Sequence, residues 1–432
     1  MVEPVIVIPG ITATYLKDEY PVDNEYLWKV IKKDYKRITL HPNNPKYEAI
    51  EPARVVHDQI YEVAYKELIE ELRHNLKESD DKEVPVYPFG YDWRMPLEDA
   101  EDKLDQFIDE VIERTLLTRH YYNEEEYKEK PKVNLIGHSM GGLIIAGYIQ
   151  KRGATKVNKV VTLATPFRGS YEAALKITTG YADLGTATSK SSEREAARMT
   201  PSLYYLLPDF DNAIESDHEE PVSLFNTDSW QPSVLETIEK FITTKGLPTR
   251  TPKEDAGKLF SKLLGDAQSH RDRINKFKLT DAGLDKSRWM AVVGVDSKTR
   301  INLHITKMNG AVYFDLQRDD RKNEWGNGDQ ENQKLTGDGT VPFKGALPTF
   351  LSKENLICIT PGDYGYWEIQ DRALSKVAGF HGILPNMNML HRLIVRFLKD
   401  KEDPKGSTWG RRAPGIEDWK YPLKGELREK TD

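Results

Sequence analysis

Val133-Asn134-Leu135-Ile136-Gly137-His138-Ser139-Met140-Gly141-Gly142 decides how this chain is read. Val133 to Ile136 read as a buried strand. A helix is expected from about Met140 to Lys151. Between them lies a G-x-S-x-G, Gly137 to Gly141. A serine between strand and helix can occupy a sharp, strained turn that projects its Oγ. Gly137 and Gly141 leave room for that turn, and Gly142 gives space for the helix to pack on the strand. The Met140 amide would open the helix, where unpaired N–H groups and the dipole favour an anion. Ser139 is therefore the candidate nucleophile and Met140 a candidate oxyanion donor.

Outward from this stretch the chain alternates strand and helix. Val5-Ile6-Val7-Ile8, closed by Pro9-Gly10, reads as a buried parallel strand. His57 to Asp80 carries a helical period. Val84 to Tyr87 reads as a strand. Leu97 to Leu117 reads as an amphipathic helix, with Pro96 ahead of it and Glu98 and Asp99 in its first turn. Lys159 to Leu163 is a further strand. Such alternation with apolar strands predicts an α/β fold with a mostly parallel sheet covered on both faces. It stops near Arg168. From there to about Asp285 no strand is expected. Strands return at Trp289 to Val295, Ile301 to Ile305 and Ala311 to Leu316, with a hairpin near Met308-Asn309-Gly310. Leu356 to Thr360 reads as the last sheet strand and Met387 to Leu398 as a closing helix. The expected organisation is a core over 1–167, a cap insertion over 168–285, the rest of the core over 286–398, and a tail over 399–432.

Composition narrows the function. The chain has 432 residues and a net charge of −7, so the basic face of a nucleic-acid binder is not expected. Its 8 Trp, 21 Tyr and 13 Phe require a sizeable core. The single cysteine, Cys358, excludes an intramolecular disulfide framework and a thiolate zinc site. No recognisable metal-ligand spacing occurs, so neither metal nor cofactor is expected. No apolar run reaches membrane-spanning length, and Met1-Val2-Glu3-Pro4 lacks a basic leader, so a cytoplasmic location is expected.

A serine nucleophile needs a base. His381, in Ala378-Gly379-Phe380-His381-Gly382, follows the last strand and is the candidate. His138 would point away from Ser139, and His391 lies within the closing helix. The acid should fall between serine and histidine in the chain. Asp338, in Gly337-Asp338-Gly339-Thr340-Val341-Pro342, is the first choice and Asp363 the fallback. A second oxyanion amide should come from the loop after an early strand. Ile11, behind Gly10, is that candidate.

Taken together, Val5 to Gly10, Tyr91-Asp92-Trp93-Arg94, Gly137 to Gly142, Ala164-Thr165-Pro166-Phe167-Arg168-Gly169-Ser170 and Gly337 to Pro342 occur in an order that resembles the lecithin:cholesterol acyltransferase-like family of α/β-hydrolases. The resemblance covers about residues 4–170 and 290–398. It implies the α/β-hydrolase fold, with Ser139 as nucleophile, Asp338 as acid, His381 as base and the Ile11 and Met140 amides as oxyanion donors. Asp92, Trp93 and Arg94 match a family motif near the active site; the residues themselves read as a buried Asp–Arg pair with a packing tryptophan. The disulfides of secreted animal members and the membrane segment of plant and fungal ones have no counterpart here, which implies a soluble microbial setting.

The expected activity is that of a serine acyl hydrolase or O-acyltransferase on lipid esters. The alternative is a carboxylesterase or thioesterase on small non-lipid substrates. Leu235, Ile238, Phe241 and Ile242, and Leu259, Phe260, Leu263 and Leu264, fall at helical spacing in the cap. Such faces could line an acyl groove, touch a lipid surface transiently, or pack on the core. Substrate-binding residues and oligomeric state are not legible.

Overall fold

In the computed structural model, residues 1–180, 190–217, 222–326, 329–366, 368, 371 and 379–431 are described. Six strands form the central sheet: β1 (Val5–Ile8), β2 (Val86–Pro88), β3 (Val133–His138), β4 (Val157–Leu163), β5 (Trp289–Gly294) and β6 (Leu356–Ile359). Their order across the sheet is β6-β5-β4-β3-β1-β2, and every pairing is parallel. Six helices matter below: α1 (Glu62–Leu76), α2 (Leu97–Leu116), α3 (Met140–Arg152), α4 (Pro232–Lys245), α5 (Pro252–Lys276) and α6 (Asn388–Leu398).

The pleat explains why these strands are mostly apolar. Alternate side chains leave opposite faces, so both faces need cover. Ile6, Ile8, Leu135 and Val160 enter one core, which the α2 residues Leu104 and Ile108 help to fill. Val5, Val7, Ile136 and Val161 enter the other, with Tyr65, Leu68 and Leu72 of α1 and Leu390, Leu393 and Ile394 of α6. Each fully buried aliphatic side chain contributes about 1.5–3 kcal/mol.

The α/β-hydrolase reading holds, with corrections at three places. The helical period read from His57 begins only at Glu62, because Val55–Ile60 is a strand. Its β-branched Val55 and Val56 pair antiparallel with Thr14–Asp18, which also pairs with Glu25–Trp28. Ile60 fits both periods, which hid the boundary. The hairpin at Met308-Asn309-Gly310 forms, between strands Leu303–Met308 and Ala311–Asp315. It belongs to a separate small sheet rather than the central one. Leu303–Met308 also pairs with Ile214–Ser216, a short strand inside the segment expected to have none.

Of the segment expected as a cap, residues 181–189 and 218–221, His218 among them, lie outside the described residues. The apolar faces of α4 and α5 are turned inward: Ile238, Ile242, Phe260, Leu263 and Leu264 are buried in the α2-side core. His270 of α5 lies 2.8 Å from Glu101 of α2, and Arg273 lies 2.8 Å from Glu98. The tail also docks. Asp363 accepts from Trp409 (2.8 Å), Arg411 (2.6 Å) and Lys430 (3.1 Å), and Arg411 bridges the β6 residue Cys358.

Candidate active site

Strand β3 runs straight into α3, and the joint is Ser139. Its backbone has φ 53° and ψ −125°. A non-glycine residue held there stores about 1–3 kcal/mol of strain. The turn closes only because its flanks are bare: a Cβ on Gly137 would lie 2.7 Å from backbone atoms of Gly141 and Gly142. The strained turn lifts Oγ to the carboxyl edge of the sheet.

The chain returns to that edge twice. The connection between β5 and β6 brings Gly337-Asp338-Gly339 back to the end of β5, where Ser297 bridges Gly337. Gly294 ends β5 without a side chain, and a Cβ there would lie 2.6 Å from the Asp338 Cβ. After β6, His381 lies in a single turn of helix, Phe380–Ile383; the preceding Ala378 falls outside the described residues.

These returns bring three side chains together. His381 Nε2 lies 2.9 Å from Ser139 Oγ, and Nδ1 lies 2.7 Å from Asp338 Oδ2. The other Asp338 oxygen accepts the amides of Thr340 (2.9 Å) and Val341 (2.7 Å). The His381 amide donates to the Asp338 carbonyl at 3.1 Å. All three side chains are buried. Such an arrangement can take a proton from Oγ onto Nε2 while the carboxylate steadies the imidazolium.

The Ile11 loop lies against Ser139. A Cβ on Gly10 would come within 2.9 Å of the Ser139 Cβ. The Gly10 amide is occupied, donating to Tyr65 Oη at 2.9 Å. Among the described residues the Ile11 amide has no acceptor. Met140 begins α3, where the first amides lack intrahelical partners.

Tyr91-Asp92-Trp93-Arg94 braces this loop. Tyr91 Oη donates to the Pro9 carbonyl (3.0 Å) and Trp93 Nε1 to the Thr14 carbonyl (3.2 Å), one at each end. Trp28 Nε1 holds the Thr12 carbonyl at 2.8 Å. The Arg94 guanidinium donates twice to Asp92, at 2.9 and 2.7 Å, and once to Glu48, at 2.8 Å. Burial alone would raise both carboxyls. At Asp92 the guanidinium wins and holds the group below its usual range. At Glu48, with one bond from Arg94, burial wins and the group is raised.

The remaining candidates lie elsewhere. Asp363 is engaged by the tail, as described above. His391 is buried in α6 with Nε2 2.6 Å from the Pro385 carbonyl. Cys358 is buried in β6, and burial pushes its thiol up to about 12. A groove of about 450 Å³ beside the tail, lined by Trp325, Gln330, Arg412 and Glu429 among others, includes none of the three clustered residues. Among the described residues no group of three or more His, Cys, Asp or Glu could hold a metal ion, and no helix is long and apolar enough to cross a membrane. Tyr65 was not singled out from the sequence: it falls on the apolar face of α1, where an aromatic residue signals only core.

Residues 47–259 match the family model described as lecithin:cholesterol acyltransferase. No curated protein matches in sequence. The solved structure of the Tle4–Tli4 complex matches over 92% of this chain and 98% of its own, at 14% identity and a TM-score of 0.57. That likeness is one of fold. Phospholipase PlaB from Legionella pneumophila matches over 68% of this chain and 40% of its own, at 12% identity and a TM-score of 0.33, too loose a match to carry an argument.

Proposed function

We infer that this chain, which belongs to the lecithin:cholesterol acyltransferase family, is a serine acyl hydrolase or O-acyltransferase acting on lipid esters. The observation that carries the reading is one imidazole spanning two partners, 2.9 Å from the Ser139 hydroxyl and 2.7 Å from the Asp338 carboxylate. The family supports a lipid ester as the substrate class.

The proposed reaction has two halves. Ser139 Oγ attacks the ester carbonyl carbon while His381 Nε2 takes its proton. The negative charge on the carbonyl oxygen is held by the amides of Ile11 and Met140. Collapse breaks the bond to the alkoxy oxygen, which leaves with the proton from Nε2. This yields an acyl-Ser139 and a free alcohol. Water or a second alcohol then attacks the acyl carbon, giving its proton to His381, and Ser139 departs with that proton. Water makes the enzyme a hydrolase; an alcohol makes it an acyltransferase. Each oxyanion amide is worth about 2.7–4 kcal/mol of barrier.

Ser139→Ala tests the reading. The variant is expected to fold and to have no turnover of p-nitrophenyl esters. Unchanged turnover would refute the assignment. Profiling esters from two to sixteen carbons separates a lipid acyl chain from a small acid, and product lipidomics on a total lipid extract identifies the acceptor.

A further inference from the structure

We propose that Tyr65 and His138 are positioning residues: one hydrogen-bond chain through their side chains holds the oxyanion loop and the catalytic base in register with the nucleophile. The inference rests on the acyl-transfer reading above.

The chain has two fixed ends. At one end the Gly10 amide donates to Tyr65 Oη at 2.9 Å. At the other, His138 Nε2 lies 2.9 Å from the carbonyl oxygen of His381. Tyr65 Oη and His138 Nδ1 join them at 2.7 Å. An amide N–H only donates and a carbonyl only accepts. Tyr65 therefore accepts from Gly10 and spends its one proton on His138 Nδ1. His138 then carries its proton on Nε2 and donates to His381. Every role is determined, and each group is used once.

The chain needs a neutral His138 and an intact phenol. Both side chains are buried. Burial holds His138 well below the ordinary imidazole range, and the neighbouring His381, 5.0 Å away ring to ring, acts in the same direction. Burial also raises the Tyr65 phenol.

What the chain connects gives it a function. Gly10 precedes Ile11, the oxyanion donor of the proposed reaction. His138 precedes Ser139, and His381 supplies the base. Three backbone segments distant in sequence are thus tied by two side chains that make no hydrogen bond to Ser139 Oγ or to the ring nitrogens of His381. The occupied Gly10 amide also leaves the oxyanion role to Ile11. A small shift of either end moves a donor or a base relative to Oγ, and misplacement near 1 Å costs on the order of a hundredfold in rate.

The test is Tyr65→Phe, which keeps the ring and removes Oη. It is read on p-nitrophenyl butyrate hydrolysis, on the inactivation rate by a fluorophosphonate, and on the affinity of an alkyl trifluoromethyl ketone, which mimics the tetrahedral adduct. We expect kcat, inactivation rate and ketone affinity each to fall about ten- to a hundredfold with KM within about twofold. His138→Gln, which keeps a donor but not the imidazole geometry, is expected to fall similarly. The double variant should be no worse than the weaker single one, because either change cuts the same chain. A purely structural role would lower the melting temperature and leave these ratios alone. Parent-like kcat and ketone affinity in either folded variant would overturn the proposal. A parent protein that the fluorophosphonate does not label would instead overturn the acyl-transfer reading beneath it.

Discussion

His381 Nδ1 stands 2.7 Å from Asp338 Oδ2, while the other oxygen of that carboxylate accepts two backbone amides, from Thr340 and Val341. One oxygen is thus anchored to the fold and the other orients the imidazole. Asp338→Asn should separate these duties. The amide oxygen can keep the two backbone bonds, so the fold should stand. Its NH₂ then faces Nδ1 and forces the ring proton onto Nε2, where the base is needed. We expect kcat on a short p-nitrophenyl ester to fall on the order of 10⁴-fold with unchanged circular dichroism. A loss below about tenfold would contradict the role given to Asp338.

The approach of the Ile11 loop to Ser139 leaves no room for a methyl group. On Gly10 it would sit 2.9 Å from the Ser139 Cβ and 3.4 Å from Oγ. The Cβ position is fixed by the backbone, so Gly10→Ala should move the loop or the serine. Turnover should drop by about ten- to a hundredfold while the protein remains folded. Turnover within twofold of the parent would mean the loop accommodates the methyl without displacing either catalytic group.

Arg94 is buried between Asp92 and Glu48. Removing the guanidinium leaves two buried carboxyls without their cation. Arg94→Gln should cost about 3–5 kcal/mol in urea denaturation. Because Tyr91 and Trp93 hold Pro9 and Thr14 at either end of the Ile11 loop, activity should fall at temperatures where the variant is still folded. A cost under about 1 kcal/mol would show the pair to be dispensable for stability.

Cys358 gives a pH prediction of definite sign. Its buried thiol is pushed up to about 12. The folded state therefore keeps a proton that the unfolded chain gives up near its ordinary value, about 8.5. The contribution to stability is full below that ordinary value and is lost as pH rises toward about 12. In the folded protein at pH 8 the thiol should not react with a chromogenic disulfide, and one equivalent should react in denaturant. Stoichiometric labelling without denaturant would place the thiol at a reachable surface.

What could be read in advance follows from range. Val133 to Gly142 is a local device: strand, strained turn and helix start occupy ten consecutive residues, so their order is visible without the fold. The apolar runs of β1, β3, β5 and β6 were visible for the same reason, since burial on both faces removes the polar alternation that would mask a strand. The antiparallel strands Thr14–Asp18, Glu25–Trp28 and Val55–Ile60 were not. They are short and mixed in polarity, and Val55–Ile60 pairs with a strand about forty residues back in the chain.

The sequence alone determined the sheet class, the G-x-S-x-G between strand and helix at Ser139, and the chain order of the candidate serine, acid and base, because each depends on periodicity or on residue types at short spacing. Only the tertiary structure decided the rest. It showed Asp338 against the imidazole and Asp363 holding the tail, two aspartates that look alike as local motifs. It turned the apolar faces of α4 and α5 inward. It also joined Gly10, Tyr65, His138 and His381, residues up to hundreds of positions apart. A hydrogen bond reaches about 3 Å, and no pattern along the chain records which distant groups folding will bring within that distance.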